Sequence, residues 1–391
     1  MTALMNTYNR VDLTIERGEG ATLITTDGRR FLDFTSGIAV TALGHCHPHL
    51  VQALKEQADK VWHCSNLFRI PGQERLAQRL VDASFADAVF FGNSGAEAIE
   101  CGLKLIRKWQ DDFGDPKRYR VITFEGAFHG RTLATLAAAN NEKYLKGYAP
   151  NVDGFDQVPF GNLNEVRAKI GPETAAILIE PVQGEGGMRA ADVEFLKGLR
   201  AACDEYGLLL MFDEVQCGMG RTGRLFAHEW AGVKPDIVST AKAIGGGFPL
   251  GACLATEKVA AAFGHGSHGT TFGGNPLAMA VGNAVLDVML APGFLDNVAR
   301  MGRLLERHLD ALLKQFPTVF TESRGLGLIR GLKCAGSNSA IVDRARAGGL
   351  LILTAADNVV RLLPPLIVTE AEIERAMGVL TEAAASQAKA A

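Results

Sequence analysis

Leu208-Leu209-Leu210-Met211-Phe212-Asp213-Glu214-Val215-Gln216 runs five apolar residues into two adjacent acids. A run this short, bounded by charge, reads as a strand buried on both faces. Comparable runs recur at 88–91, 120–124, 176–179, 236–240 and 250–255. Segments with helical spacing lie around them. Residues 50–61 are apolar at 50, 51, 54, 58 and 61, and residues 99–109 at 99, 103 and 106. Residues 294–313 and 370–380 follow the same period, and Thr369 with Glu372 has the spacing of a capping box. Short buried strands alternating with helices predict an α/β fold around a mostly parallel sheet. Such folds place ligands at the carboxyl ends of strands, so chemistry is expected just after each run.

The bulk properties agree with a soluble enzyme-sized protein. The 391 residues are 47% apolar and 21% charged, with a formal net charge of −3. That length suggests two or three domains. The balance and the scatter of basic residues give no sign of nucleic acid or an anionic membrane as partner. Seven cysteines, an odd number with no C-x-x-C pair, argue against a disulfide framework or structural zinc and suit a reducing cytoplasm. No basic segment followed by an apolar run opens the chain, and no apolar run approaches the roughly 18 residues of a membrane span. The termini lack the dense strand-helix rhythm. Residues 1–55 and 276–391 are therefore expected to form a smaller α/β domain beside a large domain at 56–275, and the Ala-rich tail after Thr381 reads as a frayed helix end.

Three segments carry chemistry. In Phe90-Phe91-Gly92-Asn93-Ser94-Gly95-Ala96-Glu97 an apolar run turns into a helix start, with Ser94 and Glu97 at capping spacing. Helix-start amides lack internal partners and favour an anion such as phosphate. Taken alone, this segment reads better as an ordinary capped helix. A hydrolase elbow, G-x-S-x-G with Ser94 as nucleophile, is a third reading, weakened because Ala96 replaces the last Gly. The second segment is the opening one: Asp213 ends a strand, where it either caps a loop or faces a cationic ring nitrogen and keeps it protonated. In the third, Ser239-Thr240-Ala241-Lys242-Ala243-Ile244-Gly245-Gly246-Gly247, a Lys follows a strand among small and apolar neighbours. A surface Lys is the ordinary case. These flanks instead suit a desolvated amine able to form an imine with an aldehyde. Together the three segments supply what pyridoxal phosphate requires.

The sequence resembles the class III (ω-amino) aminotransferases of the fold-type-I pyridoxal-phosphate superfamily, and within them the acetylornithine aminotransferases. The likeness runs from Thr7-Tyr8-Asn9-Arg10 to Arg361-Leu362-Leu363-Pro364-Pro365. The resemblance implies that Lys242 attaches the cofactor and that Ser94, Gly95 and Ala96 hold its phosphate. It implies that Phe128 and Val215 sandwich the ring, Asp213 pairs with the ring nitrogen and Gln216 bonds the ring hydroxyl. Thr271, in His268-Gly269-Thr270-Thr271-Phe272-Gly273, would reach the cofactor phosphate of a neighbouring subunit, so a homodimer with shared sites is implied. Thr270 would stand with the substrate-binding residues. Arg131, in Phe128-His129-Gly130-Arg131-Thr132, would grip a substrate carboxylate. Arg361 would receive the α-carboxylate of glutamate, with Glu185 as the acid that masks it. Alone, each Arg would read as a surface ion pair.

The same resemblance implies transfer of a terminal amine to 2-oxoglutarate, with Lys242 moving the proton. N2-acetylornithine is the expected amine, in arginine biosynthesis. Succinylornithine, N-succinyl-diaminopimelate, ornithine and GABA are the alternatives within the class. Two further segments look functional but are read otherwise. Gly44-His45-Cys46-His47-Pro48-His49 lacks metal-ligand spacing and reads as a turn entering the next helix, with no metal expected. Gly325-Leu326-Gly327-Leu328-Ile329-Arg330-Gly331 misses the dinucleotide glycine spacing by one.

Overall fold

The computed structural model describes residues 3–390. A seven-stranded sheet forms its centre. From one edge to the other its strands are Ala88–Gly92, Gly251–Ala255, Ile237–Thr240, Leu209–Asp213, Thr174–Ile179, Arg120–Phe124 and Phe155–Val158. Pairing is parallel throughout except at Gly251–Ala255, which runs against both neighbours. Six of the seven strands are the apolar runs, displaced by a residue or two. Leu208 falls outside its strand because its amide closes the preceding helix on the Cys203 carbonyl. Asp236 falls outside because its carboxylate accepts the Leu210 amide and Arg200. Phe155–Val158 escaped detection because Asp156 and Gln157 interrupt its pattern, as an edge strand permits.

The period of two explains why the central strand is apolar without a break. Leu209 and Met211 face one core with Ile99, Leu103 and Ile106 of the helix Gly95–Phe113. Leu210 and Phe212 face the other, with Phe195, Leu196 and Leu199 of the helix Val193–Tyr206. Helices thus cover both faces, and each such large side chain contributes about 1.5–3 kcal/mol.

Two smaller four-stranded sheets come from the chain ends. Ile15–Glu19, Thr22–Thr25 and Arg30–Asp33 form an antiparallel set that Leu350–Leu351 joins in parallel. Phe320–Leu326, Ile329–Cys334, Val359–Leu362 and Leu353–Ala355 make the second. The glycine-rich 325–331 segment is the hairpin between its first two strands. The final helix departs from expectation: Glu370–Ala390 continues through the Ala-rich tail, which is held because Ala383 and Ala384 are buried. Thr369 and Glu372 make the reciprocal bonds of a capping box at its start. Pro48 opens the helix Pro48–Ala58, and His45 bonds Asp33 at 2.8 Å, so the His-rich segment is a helix-entering turn. Among the described residues no single helix is long and apolar enough to cross a membrane.

Candidate active site

The loops leaving the carboxyl ends of the parallel strands meet around a cavity of about 430 Å³. Ser94, Gly95 and Ala96 form one wall at the start of the helix Gly95–Phe113. Ser94 caps this helix, its hydroxyl accepting the Glu97 amide at 3.2 Å. The return bond from Glu97 goes to the Asn93 amide rather than to Ser94, so the capping box is displaced by one residue. The amides of Gly95 and Ala96 are left as the orphan donors of the helix start. Gly95 has no room for a side chain, since a Cβ would lie 2.6 Å from Val215 Cγ1. This contact brings the helix start against the loop after Leu209–Asp213.

Lys242 stands opposite, at the first residue of a short 3-10 turn that follows Ile237–Thr240. Its φ of 50° is in the left-handed region, a strained conformation for a non-glycine residue and one concentrated at functional sites. Burial holds the amine below the ordinary lysine range. Arg361 adds to that effect, while Glu185, Asp213 and Glu180 oppose it.

Asp213 is buried at the mouth of the sheet with both oxygens engaged. One accepts the Val215 amide at 3.0 Å, and the other lies 2.8 Å from His129 Nδ1. With Asp213 ionised, Nδ1 is the donor. His129 Nε2 is buried and has no hydrogen-bond partner among the described residues. Glu180, just after Thr174–Ile179, is a second buried acid on the cavity wall. Its carboxylate accepts the Phe128 amide at 2.8 Å and the Gly184 amide at 3.4 Å. Burial pushes Glu180 well above the usual carboxyl range, and the Asp213 charge adds to this, against the two amides and Lys242.

Glu185 and Arg361 stand directly behind the wall. Glu185 is on the turn between the short strands Val182–Gln183 and Arg189–Ala190, and Arg361 is on Val359–Leu362. They form a direct ion pair. Gln216, which lines the cavity, accepts from Arg361 at 3.3 Å and reaches Glu185 at 3.5 Å. Gly184 lets the Gln216 amide pack close, since a Cβ there would lie 2.0 Å from Gln216 Oε1 and push that side chain aside. Burial would raise the Glu185 carboxyl, but the charge and hydrogen bond of Arg361 outweigh it and hold the carboxyl below its usual range. Arg131 lines the cavity and, among the described residues, is in no ion pair.

The family pattern described as aminotransferase class-III matches residues 4–384. A relative from Mesorhizobium japonicum named acetylornithine aminotransferase is 60% identical over 96% of this chain and 94% of its own length. One of the same name from Brucella melitensis is 59% identical over 96% and 93%. Among solved structures, an N-acetylornithine aminotransferase from Stenotrophomonas maltophilia superposes with a TM-score of 0.85 at 40% identity, covering 98% of both chains. The ornithine aminotransferase of Toxoplasma gondii reaches a TM-score of 0.94 at 28% identity, covering 100% of this chain and 94% of its own. In a second structure of the Toxoplasma enzyme, pyridoxal phosphate partly occupies the active site.

The chain belongs to the class-III aminotransferases. Its expected fold and enzyme class are thereby established, and the family implies pyridoxal phosphate. Membership of this family sets the hydrolase reading aside, and Ser94 is a helix cap, its hydroxyl accepting the Glu97 amide. Nine expected residues share one cavity: Ser94, Gly95, Ala96, Phe128, Arg131, Asp213, Val215, Gln216 and Lys242. Glu185 and Arg361 join it through Gln216. Thr270 and Thr271 do not adjoin it within the single chain. Thr270 lines another cavity with Asn66, whose side chain donates to its carbonyl at 3.3 Å, and Thr271 is exposed. Glu180 and His129 went unassigned. Glu180 follows an apolar run directly, the position where a strand-end acid is expected. His129 lay inside the quoted Arg131 segment and offered only a lone His.

Proposed function

We propose that this class-III aminotransferase moves the terminal amine of N2-acetylornithine to 2-oxoglutarate, giving N-acetylglutamate semialdehyde and glutamate in arginine biosynthesis. The observation that carries this reading is the meeting of Lys242, Asp213 and the Ser94 helix start in one cavity. The residues fit pyridoxal phosphate: orphan amides for a phosphate, a buried acid for a ring nitrogen and a desolvated lysine for the aldehyde carbon. The relatives named acetylornithine aminotransferase, at 59–60% identity, support the substrate.

When bound, the cofactor supplies the electron sink that lets a proton leave the amine-bearing carbon. The protein's residues do the rest. Gly95 and Ala96 amides, with Ser94, hold the phosphate. Phe128 and Val215 confine the ring between them, and Gln216 reaches its hydroxyl. Asp213, oriented by His129, keeps the ring nitrogen protonated. Lys242, with its basicity lowered by burial, takes the proton from the substrate carbon and would deliver it to the cofactor carbon. Arg131 receives the carboxylate of the amine substrate. While Glu185 neutralises Arg361, the far side of the pocket suits a terminal amine. Release of Glu185 frees Arg361 for the α-carboxylate of glutamate, and a planar guanidinium grips a carboxylate with two parallel bonds.

The enzyme acts in this proposal as a cytoplasmic homodimer. Its seven free cysteines suit a reducing compartment. Thr271 of each subunit reaches the phosphate in its partner's site, with Thr270 beside the substrate, which accounts for two residues that miss the cavity of their own chain. Residues 1–55 and 276–391 form the small domain around the large domain 56–275, and positions 1, 2 and 391 lie outside the described residues. The parallel pairing of Leu32 with Leu350 supports grouping the ends. The deciding experiment is an amine panel with 2-oxoglutarate: acetylornithine, succinylornithine, ornithine, GABA and N-succinyl-diaminopimelate. Acetylornithine is expected to give the highest kcat/KM. The 0.94 TM-score to an ornithine aminotransferase makes ornithine the second reading, and equal or better efficiency on ornithine would overturn the first.

A further inference from the structure

Arg131 is the one guanidinium that lines the active-site cavity, and nothing acidic holds it among the described residues. A long side chain at an exposed rim ordinarily samples many rotamers, and fixing it is costly. Its contacts are aromatic instead. The guanidinium carbon lies 3.9 Å from the centroid of the Tyr144 ring and 5.6 Å from that of Phe128. The two rings meet edge to face, 6.1 Å apart. We infer that Tyr144 is a positioning residue for Arg131, holding the guanidinium by its ring face so that the donors stay free for a substrate carboxylate.

The physical case rests on what a ring face does and does not do. A carboxylate partner would fix Arg131 but would occupy its N–H donors and cancel its charge, competing with the substrate. A ring attracts the cation through its quadrupole and takes up no N–H in the plane of the fork. The Arg361 site is built the other way, with Glu185 bound directly to the guanidinium. One cation is therefore masked by an acid, and the other is oriented without masking. The Tyr144 hydroxyl makes no hydrogen bond among the described residues, so the ring is the working part. Tyr144 sits on the short helix Glu142–Leu145, which has no buried residue and is capped by Asn141. Its side chain is thus not a core element of the fold. The Lys143 ammonium, 5.8 Å from the same ring, adds a second positive charge at this rim.

This inference rests on Arg131 being the carboxylate site. Arg131 serves the amine substrate and glutamate alike, whereas Arg361 serves glutamate alone. Loss of the ring should therefore weaken both substrates. The test compares the holoenzyme with Tyr144→Leu, Tyr144→Phe and Arg131→Met. Steady-state KM and kcat are measured for both half-reactions, with calorimetric binding of unreactive glutarate alongside. Tyr144→Leu is expected to raise both KM values and the glutarate Kd about three- to tenfold, with kcat and the cofactor spectrum kept, and Tyr144→Phe to match wild type. Tyr144→Met serves as a second non-aromatic variant if the Leu variant fails to fold. If Arg131→Met weakens glutarate but neither non-aromatic variant does, the inference is overturned and the carboxylate site stands. A Phe variant as poor as the Leu variant also overturns it, since the hydroxyl would then be responsible. If Arg131→Met leaves glutarate binding unchanged, the carboxylate site itself falls.

Discussion

The Glu185 carboxylate is bound directly to the Arg361 guanidinium, and Gln216 touches both from the cavity wall. In the proposed function this pair masks Arg361 from the amine substrate and yields it to glutamate. Its pH response follows from the depressed Glu185 carboxyl. A carboxyl with a lowered folded-state pKa stabilises the structure above its unfolded value, near 4.3, and loses that contribution as pH falls through the folded value. Without substrate Glu185 therefore stays ionised and paired at neutral pH, and protonation breaks the pair only below the ordinary carboxyl range. Glu185→Gln removes the mask. We predict that glutamate KM falls about 3- to 10-fold, and that discrimination against the α-amine of ornithine declines by a similar factor. Unchanged glutamate KM together with unchanged discrimination would remove Glu185 from this role.

Lys242 combines strained backbone, burial and, among the described residues, the only amine on the cavity wall. Lys242→Ala is expected to lower kcat by at least about 10²- to 10⁴-fold, the range of a lost proton-transfer group. It should also abolish the visible absorbance of the bound cofactor. The apoprotein behaves in the opposite sense. Burial lowers the Lys242 amine, so its charged form is disfavoured in the folded state, and that cost is present at neutral pH and fades as pH rises through the unfolded lysine range. Lys242→Met apoprotein should accordingly melt no lower than wild-type apoprotein at pH 7. A clear drop in Tm would show that Lys242 has a structural role instead.

The central sheet was readable because its inner strands are buried and mostly apolar, as Leu209–Asp213 is up to its terminal acid and Thr174–Ile179 is after its first residue. Strands of the terminal sheets were hidden. Ile15–Glu19 is largely exposed and polar, and Phe320–Leu326 places Glu322, Ser323 and Arg324 in mid-strand. The wall of the site was legible as residues because strand ends are predictable places. Its wiring was not. The bond from Glu180 to Phe128 spans 52 residues and that from Arg361 to Glu185 spans 176, and no local pattern encodes either. Tyr144 was equally invisible, since an aromatic in a polar turn gives no period to read.

Glu180 ties two loops to one carboxylate: the Phe128 amide on one oxygen and the Gly184 amide on the other. Glutamine can accept only one of these bonds and must point an N–H at the other amide. Glu180→Gln should therefore lower stability by about 1–3 kcal/mol, the cost of an unsatisfied buried donor. A carboxyl raised by burial contributes stability below its unfolded pKa and loses it as pH climbs towards the folded value. Wild-type apoprotein should thus lose Tm progressively from mildly acidic pH upward, and the Gln variant should show a flatter profile. Scanning calorimetry from about pH 5 to pH 9 spans that window. A wild-type slope retained in full by Glu180→Gln would assign it to another group.

Thr271 is exposed and does not line the cavity of its own chain, yet it stands in the segment that the family resemblance links to cofactor phosphate. The proposed second subunit would reconcile the two. Thr271→Val keeps the shape and removes one hydroxyl bond to a charged group, worth about 1.5–3 kcal/mol. We predict roughly a 10- to 100-fold weaker hold on pyridoxal phosphate, with an unchanged fold and an unchanged dimer. Mixing supplies the decisive arm. A heterodimer of Thr271→Val with Lys242→Ala has one site holding both Lys242 and a Thr271 hydroxyl only if that hydroxyl is donated across the interface. If the hydroxyl is donated across the interface, the site retaining Lys242 belongs to the Thr271→Val chain and draws an intact Thr271 from the Lys242→Ala chain. That site should then bind cofactor with wild-type affinity and turn over at half the wild-type rate per dimer. Weak cofactor binding at the lysine-bearing site of the mixed dimer would place Thr271 in its own chain's site and end the shared-site proposal.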